Sequence, residues 1–317
     1  MNGRACAKRW SSSVRSPWNC ARGHRDRRGR GLTVRTRNGY YAPREERAGR
    51  SSRQPAPSAL DAAIAGGLPA GDLPLGVVAA PFASAGSASP VVGVVTGFSP
   101  LGVRTEGEEF DVLVTAFRDD WRQMATATQR IRATASAVGS RPLRVDVTSR
   151  LELRPGRYEI RTAVTGLTSG QTGSAYTSVV VPDFNREALS LSGVLLELQT
   201  GLAGSGRGLL QGLAPVSPTT LRTFTAHDSV RAFVRVQQVG RGPVTAVTAH
   251  IRITDAADRM RFDQTRQLAW DAFAAARSTD IDVILPVSGL DAGDYLLTIE
   301  ATTPRAAASR HVRFAVR

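Results

Sequence analysis

Leu153-Arg-Pro-Gly-Arg-Tyr-Glu-Ile160 is the stretch on which the fold turns. An apolar anchor, a Pro-Gly turn and a tyrosine at the head of an alternating run are the parts of a tyrosine corner. In that device the ring enters the core between two sheets and the hydroxyl bonds back to the backbone upstream. The pattern returns as Leu290-Asp-Ala-Gly-Asp-Tyr-Leu-Leu297, and each copy stands just before a terminal pair of strand-like runs. The same device twice predicts two related sandwiches.

Working outward from the first copy, period-two alternation marks strands at 75–82, 90–98, 109–117, 123–135, 143–151, 158–164 and 175–181, separated by Gly, Pro, Asp and Ser turns. Within this set 121–137 also carries helix formers, but Thr126, Thr128, Ile131 and Thr134 are β-branched and follow the turn at Asp119-Asp120, so a strand is preferred. Around the second copy, strands are expected at 230–239, 244–254, 279–285, 295–301 and 309–316. Ser58 is placed to cap a short helix over 59–65 that Gly66-Gly67 and Pro69 stop. The reading is an all-β chain of two tandem immunoglobulin-like antiparallel β-sandwiches, with domain one at 58–198 and domain two at 219–317. A Gly/Leu/Pro-rich linker at 199–218 separates them, and a disordered, Arg-rich segment at 1–57 precedes them. Inside that segment, 31–41 alternates like one lone strand.

The net charge of +14 has the size of a nucleic-acid signature until it is located. Residues 1–53 hold 15 of the 41 Lys and Arg against Asp26, Glu45 and Glu46, a net of +12, which leaves +2 for the rest of the chain. The folded part is nearly neutral, and any phosphate-binding role falls to the tail. Cys6 and Cys20 also lie there, so no disulfide is expected to staple the sandwiches. No run reaches the length a membrane span requires. The first 30 residues lack the apolar stretch of a signal peptide, so the chain as written is expected to stay in the cytoplasm.

Five features of the sequence are candidates for chemistry. Gly201-Leu-Ala-Gly-Ser-Gly-Arg-Gly208 imitates a phosphate loop, but Arg207 stands where lysine should reach the phosphates and Gly208 where Ser or Thr should hold magnesium. His24, His227, His250 and His311 are scattered without local ligand partners. Ser205 has no base in reach of sequence reasoning. Asp111, Asp119, Asp120, Asp255, Asp258, Asp280, Asp282, Asp291 and Asp294 form a pool that could converge on calcium, although turn hydrogen bonding is the ordinary role of such residues. Trp121, Trp270, Tyr40 and Tyr41 are candidates for stacking on a ligand, with core packing the ordinary expectation for Trp270. No catalytic, cofactor-binding or metal-binding residue is therefore assigned.

Gly31-Leu-Thr-Val-Arg-Thr-Arg-Asn-Gly-Tyr-Tyr-Ala-Pro43 resembles the segment that closes the von Willebrand factor type A-related domain of a family abundant in Acidobacteria. Leu151 to Arg161, Val181-Pro-Asp-Phe184, Leu189-Ser-Leu-Ser-Gly193, Arg222-Thr-Phe224 and Leu296 to Ala301 resemble the region that follows that domain. The type A domain's metal loop, Asp-x-Ser-x-Ser, does not occur here, and only its last strand is matched. This departure suggests a truncated or frame-shifted gene product. The resemblance implies an extracytoplasmic setting and a non-enzymatic role in adhesion or contact with an unknown protein partner. The alternative expectation is polyanion binding, nucleic acid included, through the basic tail.

Overall fold

The alternation that begins at Leu75 forms antiparallel strands in the computed structural model, which describes residues 58–84, 89–100, 107–134, 144–199, 210, 213–240 and 242–317. The basic segment, with its expected strand, its cysteines and Tyr40 and Tyr41, lies outside the described residues, as do Gly201 to Gly208.

The first half comprises α1 (Ala59–Ala65), β1 (Leu75–Phe82), β2 (Val91–Phe98), β3 (Glu108–Phe117), β4 (Gln123–Ala133), β5 (Val145–Glu152), β6 (Gly156–Gly166) and β7 (Thr172–Val181). They form two sheets, β1-β2-β5 and β4-β3-β6-β7. Residues 123–133 pair with β3, so the segment with helix formers is a strand. Inward positions of the two sheets, among them Val92, Val94, Phe98, Phe110, Val112 and Ile160, fill one core, where the Phe98 and Phe110 rings lie 5.0 Å apart.

The second half comprises β8 (Leu189–Leu191), β9 (Leu195–Leu198), β10 (Thr223–Phe224), β11 (Val230–Gln238), β12 (Val247–Asp255), β13 (Met260–Leu268), β14 (Ser278–Leu285), β15 (Gly293–Thr303) and β16 (Ala306–Val316), with a short 3-10 turn at Trp270–Phe273. One sheet runs β14-β11-β8, with β9 also on β11, and the other runs β10-β16-β15-β12-β13. If β8 and β9 count as one interrupted strand, this is the plan of the first sandwich repeated. The first, second and fifth long strands make one sheet, and the third, fourth, sixth and seventh make the other.

Both tyrosine corners form. The Tyr158 hydroxyl donates to the Arg154 carbonyl at 2.9 Å and the Tyr295 hydroxyl to the Asp291 carbonyl at 2.7 Å, with both rings buried. Each tyrosine is the third residue of the strand that opens the terminal hairpin, β6–β7 or β15–β16. The repeated sequence thus places the same residue at the same point of both sandwiches.

The boundary at 198 cuts through a sheet. Leu191 pairs with Val236 and Leu195 with Phe233, so 189–198 forms the first strand of the second sandwich rather than the end of the first. The strand breaks at Gly193, whose N–H donates to the Pro81 carbonyl at 2.8 Å. A Cβ there would stand 2.5 Å from the Ala80 Cα, so only glycine permits this approach of the two sandwiches. Four further strands were not expected: β8 and β9 within that segment, the two-residue β10, and β13, whose many polar residues hide its alternation.

The linker was expected to separate the domains, yet its described part helps to join them. Leu210, Leu213 and Ala214 are buried in a third core with Ala80 and Phe82 of β1, Val91 and Val95 of β2, Leu195 of β9 and Phe233 of β11. The outer faces of the two smaller sheets are therefore inner faces of the molecule. Beside this core the Asp146 carboxylate accepts from Thr219 Oγ1 at 2.8 Å, the Thr220 N–H at 3.0 Å and Thr220 Oγ1 at 2.9 Å. Arg144 also bonds Thr220 and lies 3.7 Å from Asp146.

Candidate interaction surface

The structure does not bring the sequence's chemical candidates together. Among the described residues no group of three or more His, Cys, Asp or Glu is placed to hold a metal ion. The aspartate pool disperses into local work: Asp111 bonds Arg130, Asp280 bonds Arg235 and Asp282 bonds Arg231, each across neighbouring strands, while Asp120 accepts the Arg122 N–H in the β3–β4 turn. Asp255 closes the β12–β13 turn. Burial works against its charge, but the N–H groups of Arg259 and Ala257 and the guanidinium groups of Arg259 and Arg261 outweigh it and hold its pKa at about 2. His250 and His311 meet Thr265 and Thr298 through Nδ1.

The two candidate tryptophans, Trp121 and Trp270, part company. Trp270, expected in the core, is 62% exposed, because the 3-10 turn buries Phe273 in its place. Trp121 lies half exposed at a left-handed φ of 63°, beside the bulge between β3 and β4. Its ring covers the Arg161 guanidinium at 4.9 Å, which also lies 4.5 Å from the Tyr176 ring and 5.3 Å from that of Phe117. Arg161 donates to the carbonyls of Ile64 and Gly66 and pairs with Glu159 at 2.7 Å. Tyr176 donates to Ala63. Ala63 and Ile64 then pack on Leu113 and Ala163. This aromatic and guanidinium cluster is the dock for α1, which it fastens to the outer face of the four-stranded sheet.

Two grooves differ in how their charges are balanced. One, of about 610 Å³, lies at the end of the second sandwich and holds Asp255, Asp258, Asp294, Arg317 and, shared with the other groove, Arg222 and Arg313. Asp255 pairs with Arg259 and Arg261 and Asp294 with Arg317 at 2.6 Å, and Asp258 adds a third carboxylate to the lining. The other, of about 520 Å³, lies where the sandwiches meet, with β1 and β7 on one side and β16 on the other. Its charged side chains are Arg222, Arg310 and Arg313, together with the ionisable His311, and no Asp or Glu lines it. Arg310 donates to the carbonyls of Ser192 at 3.0 Å, Leu191 at 2.6 Å and Ser309 at 3.0 Å, and Arg222 to those of Leu221 at 2.6 Å and Thr219 at 3.1 Å. Both are thus held by neutral partners. Burial pushes the Arg222 pKa down to about 10, against the field of Asp146, and lowers that of Arg310 against the field of Glu187.

None of these arginines was assigned a binding role from the sequence, although one signal existed. Ala308, Arg310, Val312 and Phe314 stand opposite the buried Ala301, Ile299, Leu297 and Tyr295, so Arg310 is a charge at an inward position of an alternating strand. Such a charge marks a place where a sandwich opens. No described helix is long and apolar enough to cross a membrane.

No family model matches the chain, and no curated protein does. Among solved structures, a red sea bream transglutaminase aligns with a TM-score of 0.25 at 8% identity, covering 78% of this chain and 32% of that one. A glycosyl hydrolase family 2 member from Bacteroides cellulosilyticus DSM 14838 gives 0.26 at 12%, covering 72% and 28%. A dimeric latent PorU from Porphyromonas gingivalis gives 0.28 at 12%, covering 77% and 20%. The chain spans about a third or less of the length of these proteins. Likenesses of this size carry no argument about what it does.

Proposed function

We propose that this chain is a non-enzymatic protein-interaction module, the C-terminal part of a von Willebrand factor type A-related protein of extracytoplasmic setting. The observation that supports the reading best is the third core. By packing Phe233, Leu195 and Leu210 against β1 and β2, it fixes two sandwiches as one platform and creates a groove at their junction that neither possesses alone. A rigid platform binds a partner with little ordering cost. The test is chemical cross-linking of the full chain in an extract of its host, read by mass spectrometry. The expected result is a small set of partners linked through junction or edge-strand residues. Turnover of chromogenic glycoside, ester or peptide substrates by the purified chain would overturn it.

A second reading follows from the charge of +12 on residues 1–53, which suits a polyanion. Binding of this origin falls steeply with salt and disappears when those residues are deleted; affinity for DNA or RNA that survives the deletion rejects it.

A further inference from the structure

Two hairpin turns of the same form carry different residues at the same left-handed position. In the β3–β4 turn the Arg118 N–H donates to the Arg122 carbonyl at 3.0 Å and the Trp121 N–H to that of Arg118 at 2.9 Å. In the β12–β13 turn the Asp255 N–H donates to Arg259 and the Asp258 N–H to Asp255, both at 3.0 Å. The register shifts beside each turn, and the fourth residue takes a left-handed φ, 63° at Trp121 and 57° at Asp258. Asp enters that region readily through its short polar side chain, whereas a bulky ring there is an outlier. Such outliers cluster at sites that clamp ligands. The ring that this one positions is half exposed. It rests on the Arg161 guanidinium at 4.9 Å, and Arg161 is only 6% exposed and is held by Glu159 and the carbonyls of Ile64 and Gly66. Trp121 is thus fixed on a buried cation while half of its surface stays in water.

We propose that Trp121 is the stacking platform of a binding site for a neutral oligosaccharide on the outer face of the first sandwich. The negative face of an aromatic ring accepts the C–H face of a pyranose, and polar groups to meet the sugar hydroxyls stand beside it. Gln123, Phe117, Glu159 and Ser178 lie opposite one another across β4, β3, β6 and β7, a row of about 14 Å at the usual strand spacing. Glu159 turns Oε1 to Arg161 at 2.7 Å and Gln123 turns Nε2 to Thr126. Among the described residues this leaves Glu159 Oε2, Gln123 Oε1 and the hydroxyl of the exposed Ser178 to bond the ligand. Charge selects against an acidic sugar: the turn sets Asp119 and Asp120 against Arg118 and Arg122, the free carboxylate oxygen is that of Glu159, and Arg161 is already paired. A proline-rich peptide suits the site less well, because it docks in a groove lined by exposed rings. Here Phe117 is half-buried and Tyr176 gives its hydroxyl to α1. The proposal does not depend on the interaction-module reading.

The probes are cellohexaose, mannohexaose and chitohexaose, each titrated into the full chain by calorimetry and followed in parallel by tryptophan fluorescence. At least one is expected to bind with a sub-millimolar dissociation constant and to change the fluorescence, whereas hexagalacturonate should not bind. Glycine suits a left-handed turn, so Trp121→Gly should still unfold cooperatively but lose all binding. Glu159→Gln keeps an acceptor for Arg161 and should weaken binding about ten-fold through loss of a charge-assisted hydrogen bond. Trp270→Ala, on the other sandwich, should bind as the parent does. The proposal is overturned by no binding to any of the three sugars, by affinity that Trp121→Gly or Glu159→Gln retains in full, by hexagalacturonate binding as well as a neutral sugar, or by loss of affinity in Trp270→Ala. Binding of a decaproline peptide that needs Trp121 while the sugars stay silent overturns it too, and gives the ring to proline-rich partners. Each of these outcomes leaves the cross-linking test of the module reading untouched.

Discussion

β2 and β11 are the central strands of the two smaller sheets, and they reach the third core with opposite equipment. The outward positions of β2 are Val91, Gly93, Val95 and Gly97, and every residue of the strand is buried. Those of β11 are Arg231, Phe233 and Arg235, of which only Phe233 is buried, while the two arginines pair with Asp282 and Asp280 across β14. One strand is a smooth bed and the other a single large knob with charged flanks. The glycines of β2 are bed in the literal sense. A Cβ on Gly93 would stand 2.9 Å from Leu210 Cδ2, and one on Gly97 would overlap Thr220 Oγ1 and Asp146 Oδ1. A junction between domains therefore needs no symmetric design: removal of side chains on one face and one aromatic ring on the other suffices.

If the knob carries the junction, Phe233→Ala should be the most damaging change, costing about 3–5 kcal/mol for the ring and the cavity it leaves. Urea unfolding should then split into two transitions as the sandwiches uncouple. A single transition of unchanged steepness would mean that the bed and its covering leucines suffice. Asp146→Ala strips three accepted hydrogen bonds from the clasp beside Gly97 and should cost about 2–3 kcal/mol, since buried donors are left without partners. Its measure is the midpoint of the same unfolding curve. The tyrosine corners sharpen the comparison of halves. Tyr158→Phe and Tyr295→Phe each delete one hydrogen bond from an equivalent turn, so each should cost about 1 kcal/mol. Unequal losses would show that the junction leans on one sandwich more than the other.

The smallest effect concerns acid. The folded Asp255 pKa of about 2 lies below its unfolded value. Its contribution to stability is therefore complete above about pH 4 and is lost as pH falls toward 2. Asp255→Asn should lower the melting temperature at pH 7 and flatten its dependence on pH in that window. An unchanged acid limb would assign the sensitivity to other carboxylates.

Much of the fold was legible from the chain because alternation is a local property. All seven strands of the first sandwich and five of the second were expected close to where they lie, as were the helix over 59–65 and both corners. What escaped lacked a local mark. The inward positions of β13 are Phe262, Gln264, Arg266 and Leu268, two of them polar, so no apolar period marks it. Leu189 to Leu198 is apolar and adjacent to the first sandwich in sequence, yet its partner is β11, a matter of pairing that composition does not encode. Leu210, Leu213 and Ala214 looked like linker because their partners come from both sandwiches. Trp270 has the composition of a core residue but sits in a 3-10 turn that turns Phe273 inward instead.

By itself the sequence determined the element type and the repeated corner, since a period of two and a Leu-x-x-Gly-x-Tyr turn act over a few residues. Only the tertiary structure decided which strand begins the second sandwich, that the outer faces of two sheets share a core, and that Arg222, Arg310 and Arg313 stand together where the sandwiches meet. Such contacts join residues far apart in the chain, from Leu198 with Val230 to Ala80 with Leu195. They depend on register and packing between sheets, and no local pattern specifies either.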